Sequence, residues 1–182
     1  MLMDKNDSLL LIIDVQERLA PVMDSPREII NNCARLLGVA GKLGVPFLIT
    51  EQNPRGLGQT MVDLRREAGE NARYLPKMHF SCAREPEIME AIRQSGRKQI
   101  IIAGAETHIC IVQTAIELKA MGFEVFVVSN ACSSRDPVQS VVALQRLSGD
   151  CIDIVTSEMV IFEWLEQAGT PEFKEIIRKY VI

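Results

Sequence analysis

Three residues in this chain combine reactive side chains with positions where a fold could bring them together. Cys110 lies in Gly104-Ala105-Glu106-Thr107-His108-Ile109-Cys110, a turn that follows the apolar run Gln99–Ala103 and opens a helical pattern from about His108 to Met121. The start of a helix favours a thiolate and leaves backbone N–H groups free to hold an oxyanion. Asp14 closes the apolar run Leu9–Ile13, where apolar neighbours would raise its pKa and make it a better proton acceptor near neutral pH. Lys77 follows a weaker run, Arg73–Leu75, and its ammonium would favour the ionised partners. Together they offer a nucleophile, a base and a cation. Read singly, each has a plainer role: a packed thiol, a turn carboxylate and a solvated lysine.

Other chemistries lack their residues. The turn after the first run, Asp14-Val15-Gln16-Glu17-Arg18, has no glycine to admit a pyrophosphate, and no phosphate-cradling Gly-rich run with Lys and Ser/Thr occurs. No Gly-x-Ser-x-Gly elbow is present. The only histidines, His79 and His108, are far apart in sequence, so no metal and no cofactor are expected. The five cysteines include no Cys-x-x-Cys pair, which reads as free thiols rather than a disulfide framework; Cys82, Cys132 and Cys151 are expected in the core.

The elements that must position these residues follow from hydrophobic patterning. Five short apolar runs, Leu9–Ile13, Val45–Ile49, Gln99–Ala103, Phe123–Val128 and Ile152–Val155, do not alternate with polar residues, the mark of strands buried on both faces. Helical patterns fill the gaps. One opens at the capping box Ser25-Pro26-Arg27-Glu28 and stops at Gly44; others open at Pro86 and at Asp136-Pro137, the last with Val138, Val141, Val142 and Gln145 on one side. The tail, 157–165 and 171–180, also reads as helix. Glu51–Gly58 reads as a loop overhanging the site. This βαβ rhythm predicts an α/β fold with a parallel sheet of five or six strands and helices on both faces. In such sheets ligands bind at the carboxyl ends of the strands.

The chain has 182 residues, or about one domain's worth, and the whole of 1–182 is read as a single unit. Its net charge of −4, without a basic block, disfavours nucleic acid. No apolar run is long enough to span a membrane, and the first residues lack the order of a signal peptide, so a cytoplasmic setting is expected.

Four segments together resemble the isochorismatase-like cysteine hydrolases, the group that includes nicotinamidases and N-carbamoylsarcosine amidohydrolase. They are Leu11–Gln16, Lys77–Ser81, Gly104–Ile111 and Val127–Ser134, and the resemblance runs from about Leu9 to Val160. It implies a Rossmann-like three-layer sandwich with a parallel sheet of about six strands, and a catalytic triad of Asp14, Lys77 and Cys110. It also implies a cis peptide joining Ala105 to Glu106, and an oxyanion hole from the N–H groups of Glu106 and Cys110. Two departures stand out. Nicotinamidases carry an Asp-x-His metal motif after the second strand, whereas Thr50–Gly58 has no histidine; Asn130 stands where an Asp is common and is expected to act as a structural cap. Gln16, Gln52, Phe80 and His108 are candidate contacts to substrate, each with a structural role as its alternative. Trp164 and Phe162 are expected in the core or a subunit contact.

The expected function is a hydrolase acting on an amide C–N bond of a small molecule through a Cys110 thioester. The alternatives are isochorismate-type vinyl-ether hydrolysis, which does not need the thiol, and a non-catalytic binding member of the fold. The resemblance implies a homo-oligomer.

Overall fold

The computed structural model describes residues 1–70 and 72–182. Six strands form one sheet: β1 (Ser8–Ile13), β2 (Phe47–Gln52), β3 (Tyr74–Lys77), β4 (Gln99–Ala105), β5 (Glu124–Ser133) and β6 (Asp153–Val155). Their order is β3-β2-β1-β4-β5-β6, and every neighbouring pair is parallel. The helices are α1 (Pro26–Leu43), α2 (Pro54–Leu57), α3 (Val62–Ala68), α4 (Pro86–Gln94), α5 (Val112–Ala120), α6 (Pro137–Gly149), α7 (Ser157–Leu165) and α8 (Pro171–Ile176).

The strands read as unbroken apolar runs because each face of the sheet has its own core. Leu10 and Ile12 of β1 pack with Ile29 and Leu36 of α1, Leu64 of α3, Trp164 of α7 and Ile176 of α8. Leu9, Leu11 and Ile13 point the other way, toward Ile88 and Ile92 of α4, Leu118 of α5 and Leu147 of α6. No helix among the described residues is long and apolar enough to cross a membrane.

After β1 the chain builds outward to β2 and β3, then returns to lay β4 on the other side of β1. The switch of direction opens a crevice at the carboxyl ends of β1 and β4. At that point Gly104 pairs with Ile13 at φ +127°, and an added Cβ would drive into the Ile13 carbonyl oxygen. Only glycine lets these two strands close here.

Several local expectations change. β3 runs on to Lys77, and β2 to Gln52. Glu51–Gly58 therefore starts as strand and contains the one-turn α2 rather than being all loop. Ser25 does not cap α1; its hydroxyl turns to Asp24 instead. Ile102 pairs with Val127 but Gly104 with Cys132, so β5 bulges between these pairs and resumes to Ser133. Polar side chains within the bulged stretch find partners on β6 and α7. Asn130 receives the Ser157 N–H (2.8 Å) at the start of α7, and Ser129 donates to the Val155 carbonyl (3.0 Å). Asn130 is thus the structural cap its sequence position implied. On α6, Ala143 and Leu147 pack inward, while Val138, Val141 and Val142 face outward and are exposed.

Gly104→Ala should lower stability by on the order of 4 kcal/mol or more. Gly41→Ala, at an exposed site in α1 with open space around it, should instead raise it by about 0.5–1 kcal/mol. Urea titration of both variants beside the parent checks this, and equal midpoints would refute the close approach at Gly104.

Candidate active site

Asp14 is the first residue past β1 and adopts φ +54°, a left-handed conformation uncommon outside glycine. Its amide donates to the Thr50 carbonyl (3.1 Å) and its carbonyl accepts from Gln16 (2.9 Å), which fixes the carboxylate over the crevice. Asp14 Oδ1 accepts the Thr50 hydroxyl (2.8 Å), and Oδ2 lies 2.8 Å from Lys77 Nζ. Both side chains of this ion pair are fully buried.

Lys77 ends β3. Between it and β1 lies β2, with Thr50 beside Ile13 and Gln52 beside Lys77 in the strand register. The Lys77 and Asp14 side chains together bridge two strand spacings of about 4.8 Å each. Its ammonium also donates to Gln52 Oε1 (2.6 Å), the Phe80 carbonyl (3.0 Å) and the His79 carbonyl (3.2 Å), and lies 3.5 Å from Cys110 Sγ. The three residues singled out in the sequence thus converge at one point.

Cys110 sits inside a π-helical turn, Thr107–Ile111, that precedes α5, not in the first turn of an ordinary α-helix. In this wider turn the Glu106 carbonyl accepts from both Ile109 (3.1 Å) and Ile111 (3.3 Å). The peptide joining Ala105 to Glu106 is cis. Contacts from the β5–α6 connection and from α6 itself brace the turn. Glu106 pairs with Arg135 (3.0 Å), the Thr107 hydroxyl meets Ser140 (3.2 Å), and His108 Nδ1 meets the Ser134 hydroxyl (2.9 Å).

The electrostatics overturn one expectation. The turn and Lys77 do not give Cys110 a resting thiolate. Burial and the Asp14 charge push its pKa up to about 12, with Lys77 offsetting only part of the rise. Burial also raises the Asp14 carboxyl, against the opposing pull of Lys77. Burial alone would lower Lys77, but the negative groups around it, Asp14 first, raise it instead. At rest the site therefore holds a neutral thiol facing an ion pair, with a carboxylate more basic than usual.

The four candidate contacts divide. Gln16 is fully buried and its amide is committed to backbone. It donates to the Gln52 (3.0 Å) and Gly58 (2.8 Å) carbonyls and accepts from the Gln52 N–H (2.8 Å), so it fastens the loop after β2. Gln52 holds Lys77 and donates to the Met78 carbonyl (2.9 Å). Phe80 brings its carbonyl to Lys77 while its ring is exposed rather than in the core, and His108 is half-buried beside Ser134. Cys82 is buried, Cys132 half-buried, and Cys151 exposed at φ +57°, which corrects its placement in the core. Trp164 is buried and donates to Ser8 (3.0 Å), whereas Phe162 is half exposed, edge-on to Phe173. Among the described residues, no group of three or more His, Cys, Asp or Glu is placed to hold a metal ion.

Sequence reasoning gave no role to Thr50, Ser134, Arg135 or Glu85. Thr50 carried the one usable signal, a hydroxyl at a strand end one register step from Asp14.

Residues 8–159 match the model of the isochorismatase domain. Isochorismatase domain-containing protein 1 of Danio rerio is 38% identical over 170 residues, which cover 93% of this chain and 59% of that protein; the chain spans well under two thirds of this relative's length. A solved MAR1 ribonuclease from Caenorhabditis elegans superposes with a TM-score of 0.92 at 30% identity, covering 100% of this chain and 92% of the other. The YcaC gene product of Escherichia coli, described as an octameric hydrolase of unknown specificity, superposes equally well (TM-score 0.92) at 24% identity, covering 100% of this chain and 91% of the other.

With its thiol raised to about 12, Cys110 should not lead the alkylation order at neutral pH; exposed Cys151 should. Below its pKa the Cys110 rate should climb about tenfold per pH unit as the thiolate fraction grows. Peptide-resolved mass spectrometry after limited iodoacetamide treatment reads both. Preferential labelling of Cys110 at pH 7 would show a thiolate that this geometry does not support.

Proposed function

Because the chain belongs to the isochorismatase domain family, a hydrolase family, we propose that it is a cysteine hydrolase cleaving the amide C–N bond of a small molecule through a thioester on Cys110. One observation carries the reading: a buried Asp14–Lys77 pair at 2.8 Å, whose ammonium lies 3.5 Å from the Cys110 sulfur at the strand-end crevice.

Asp14 takes the thiol proton as Cys110 attacks the carbonyl carbon, so the thiolate forms only as the C–S bond forms. The N–H groups of Glu106 and Cys110 receive the oxyanion. As the tetrahedral adduct collapses, the C–N bond breaks and the proton on Asp14 passes to the departing amine. Water then gives its proton to Asp14 and attacks the thioester, and the proton returns to the sulfur as the acid leaves. Lys77 remains protonated throughout and stabilises the carboxylate and the thiolate in turn. Every step uses this chain's own residues, with no cofactor.

Phe80 at the rim and His108 beside the nucleophile turn are the side chains left to meet substrate, since Gln16 and Gln52 are engaged in holding the site. The reading carries a reducing, cytoplasmic setting for five free thiols and a single hydrolase domain over 1–182. It also carries a homo-oligomer, for which the exposed valines of α6 offer an uncharged face.

A screen of small amides and carbamoyl compounds, read by intact-protein mass, should find a covalent acyl adduct lost in Cys110→Ala. Turnover that survives in Cys110→Ala would favour vinyl-ether hydrolysis instead. Asp14→Asn should lower turnover about 10²–10⁴-fold. It should also destabilise the fold by about 3–5 kcal/mol, because Lys77 keeps a buried charge without its partner. Adding Lys77→Met to Asp14→Asn should recover melting temperature but not turnover; a double variant as unstable as the single one would show that the pair is not energetically coupled.

A further inference from the structure

An ammonium has three N–H donors, yet Lys77 Nζ has four oxygen acceptors and a sulfur around it. Two of the oxygens are backbone carbonyls, those of His79 and Phe80, in a short turn whose own side chains are exposed. The direction of those carbonyls decides where the ammonium points. One side chain closes the turn. Glu85 Oε1 accepts the N–H of Met78 (2.8 Å), the N–H of His79 (2.8 Å) and contacts His79 Nδ1 (3.0 Å).

Glu85 stands at the N-cap of α4, immediately before Pro86, where a carboxylate ordinarily accepts from its own helix. It makes no such bond here. The carboxylate turns back to the 78–79 amides instead, and Gln52 Nε2 ties the same turn from the other side through the Met78 carbonyl (2.9 Å). Burial alone would raise the Glu85 carboxyl; the amides of His79 and Met78, with the imidazole, outweigh it and hold the group below the usual carboxylate range. The ionised acceptor is therefore the form that persists at neutral pH, and hydrogen bonds to it are the strong kind.

We propose that Glu85 is a positioning residue: by closing the 78–80 turn it aims the His79 and Phe80 carbonyls at Lys77 Nζ and so holds the ammonium between Asp14 and Cys110. The proposal rests on the Cys110–Asp14–Lys77 reading. Glu85 touches neither sulfur nor substrate and acts only through Lys77. The titratable and charged groups facing this region are His79 on the turn itself, Lys77 and Asp14 in the crevice, and the Arg84–Glu117 pair reaching from the turn before α4 to α5.

Two conservative variants separate this role from a helix-end charge. Glu85→Gln keeps the length and the acceptor oxygen but loses the charge. Glu85→Asp keeps the charge at the start of α4 but is one methylene too short to reach the 78–79 amides. The readout is the rate of Cys110 carbamidomethylation against pH, resolved by peptide mass, with thermal melting to show that each variant is folded. If Lys77 is held by the turn, Glu85→Asp should move the Cys110 profile to higher pH, slowing it about tenfold per unit at a given pH, while Glu85→Gln stays within about twofold of the parent. The reverse order, or an unchanged Glu85→Asp profile, would overturn the proposal and leave Glu85 as a helix-end charge. Lys77→Met in the same assay tells the two levels apart. A slowed Lys77→Met beside unchanged Glu85 variants removes only Glu85. A Lys77→Met profile equal to the parent's removes Lys77 from the site, and the role of Glu85 with it.

Discussion

A carboxylate and an ammonium, 2.8 Å apart and both withdrawn from water, set the terms for the rest of this molecule. Desolvating two such groups costs several kcal/mol each, and their attraction repays this only with good geometry and further hydrogen bonds. The surroundings supply those bonds. Thr50 donates to Asp14, and Gln52 with two carbonyls of the 78–80 turn accepts from Lys77. Each partner comes from β2 or from the turn after β3, so the pair depends on the register in which β1, β2 and β3 lie side by side. A one-residue slip would turn Thr50 and Gln52 to the opposite face and leave both charges without their supports.

A buried ion pair is weak as a means of stabilising a fold. Its presence among apolar strands makes sense as a device that keeps a basic carboxylate beside a thiol. Burial raises the Asp14 carboxyl and so makes it a better proton acceptor, while burial and the Asp14 charge together hold the proton on the Cys110 thiol. Lys77 keeps the negative charge favourable on whichever of the two carries it. A neutral thiol is also less open to adventitious reaction than a standing thiolate.

The turn that carries Cys110 is braced from the other side of the switch point. Gly104 lets β4 approach the end of β1, and the bulge in β5 delivers Ser134 and Arg135 to His108 and Glu106. Two separate halves of the sheet thus hold two halves of the site: β1–β3 the ion pair, β4–β5 the sulfur. This is the arrangement expected where a doubly wound sheet reverses direction.

The sequence alone determined a good deal. Unbroken apolar runs at a 25–35-residue rhythm can bury both faces only in a parallel sheet under two helix layers, so the fold class was legible. Asp14, Lys77 and Cys110 each lie past an apolar run, which made their meeting at the strand ends one reading beside plainer ones; the four segments shared with the cysteine hydrolases selected it. The end of β3 was blurred because its apolar run is short and broken by Pro76. What tertiary structure decided was everything set by partners distant in sequence. Gln16 and Gln52 look like free amides in the sequence, but packing commits one to backbone and the other to Lys77. The Cys110 thiol reads as activated by its turn, yet burial and Asp14 raise it instead, because desolvation depends on what surrounds a group and not on its neighbours in the chain. Nothing in the sequence marks Glu85, one carboxylate beside a proline. Only the folded chain shows it bonded to the turn that holds Lys77, because a carboxylate takes whichever donors the fold brings within reach.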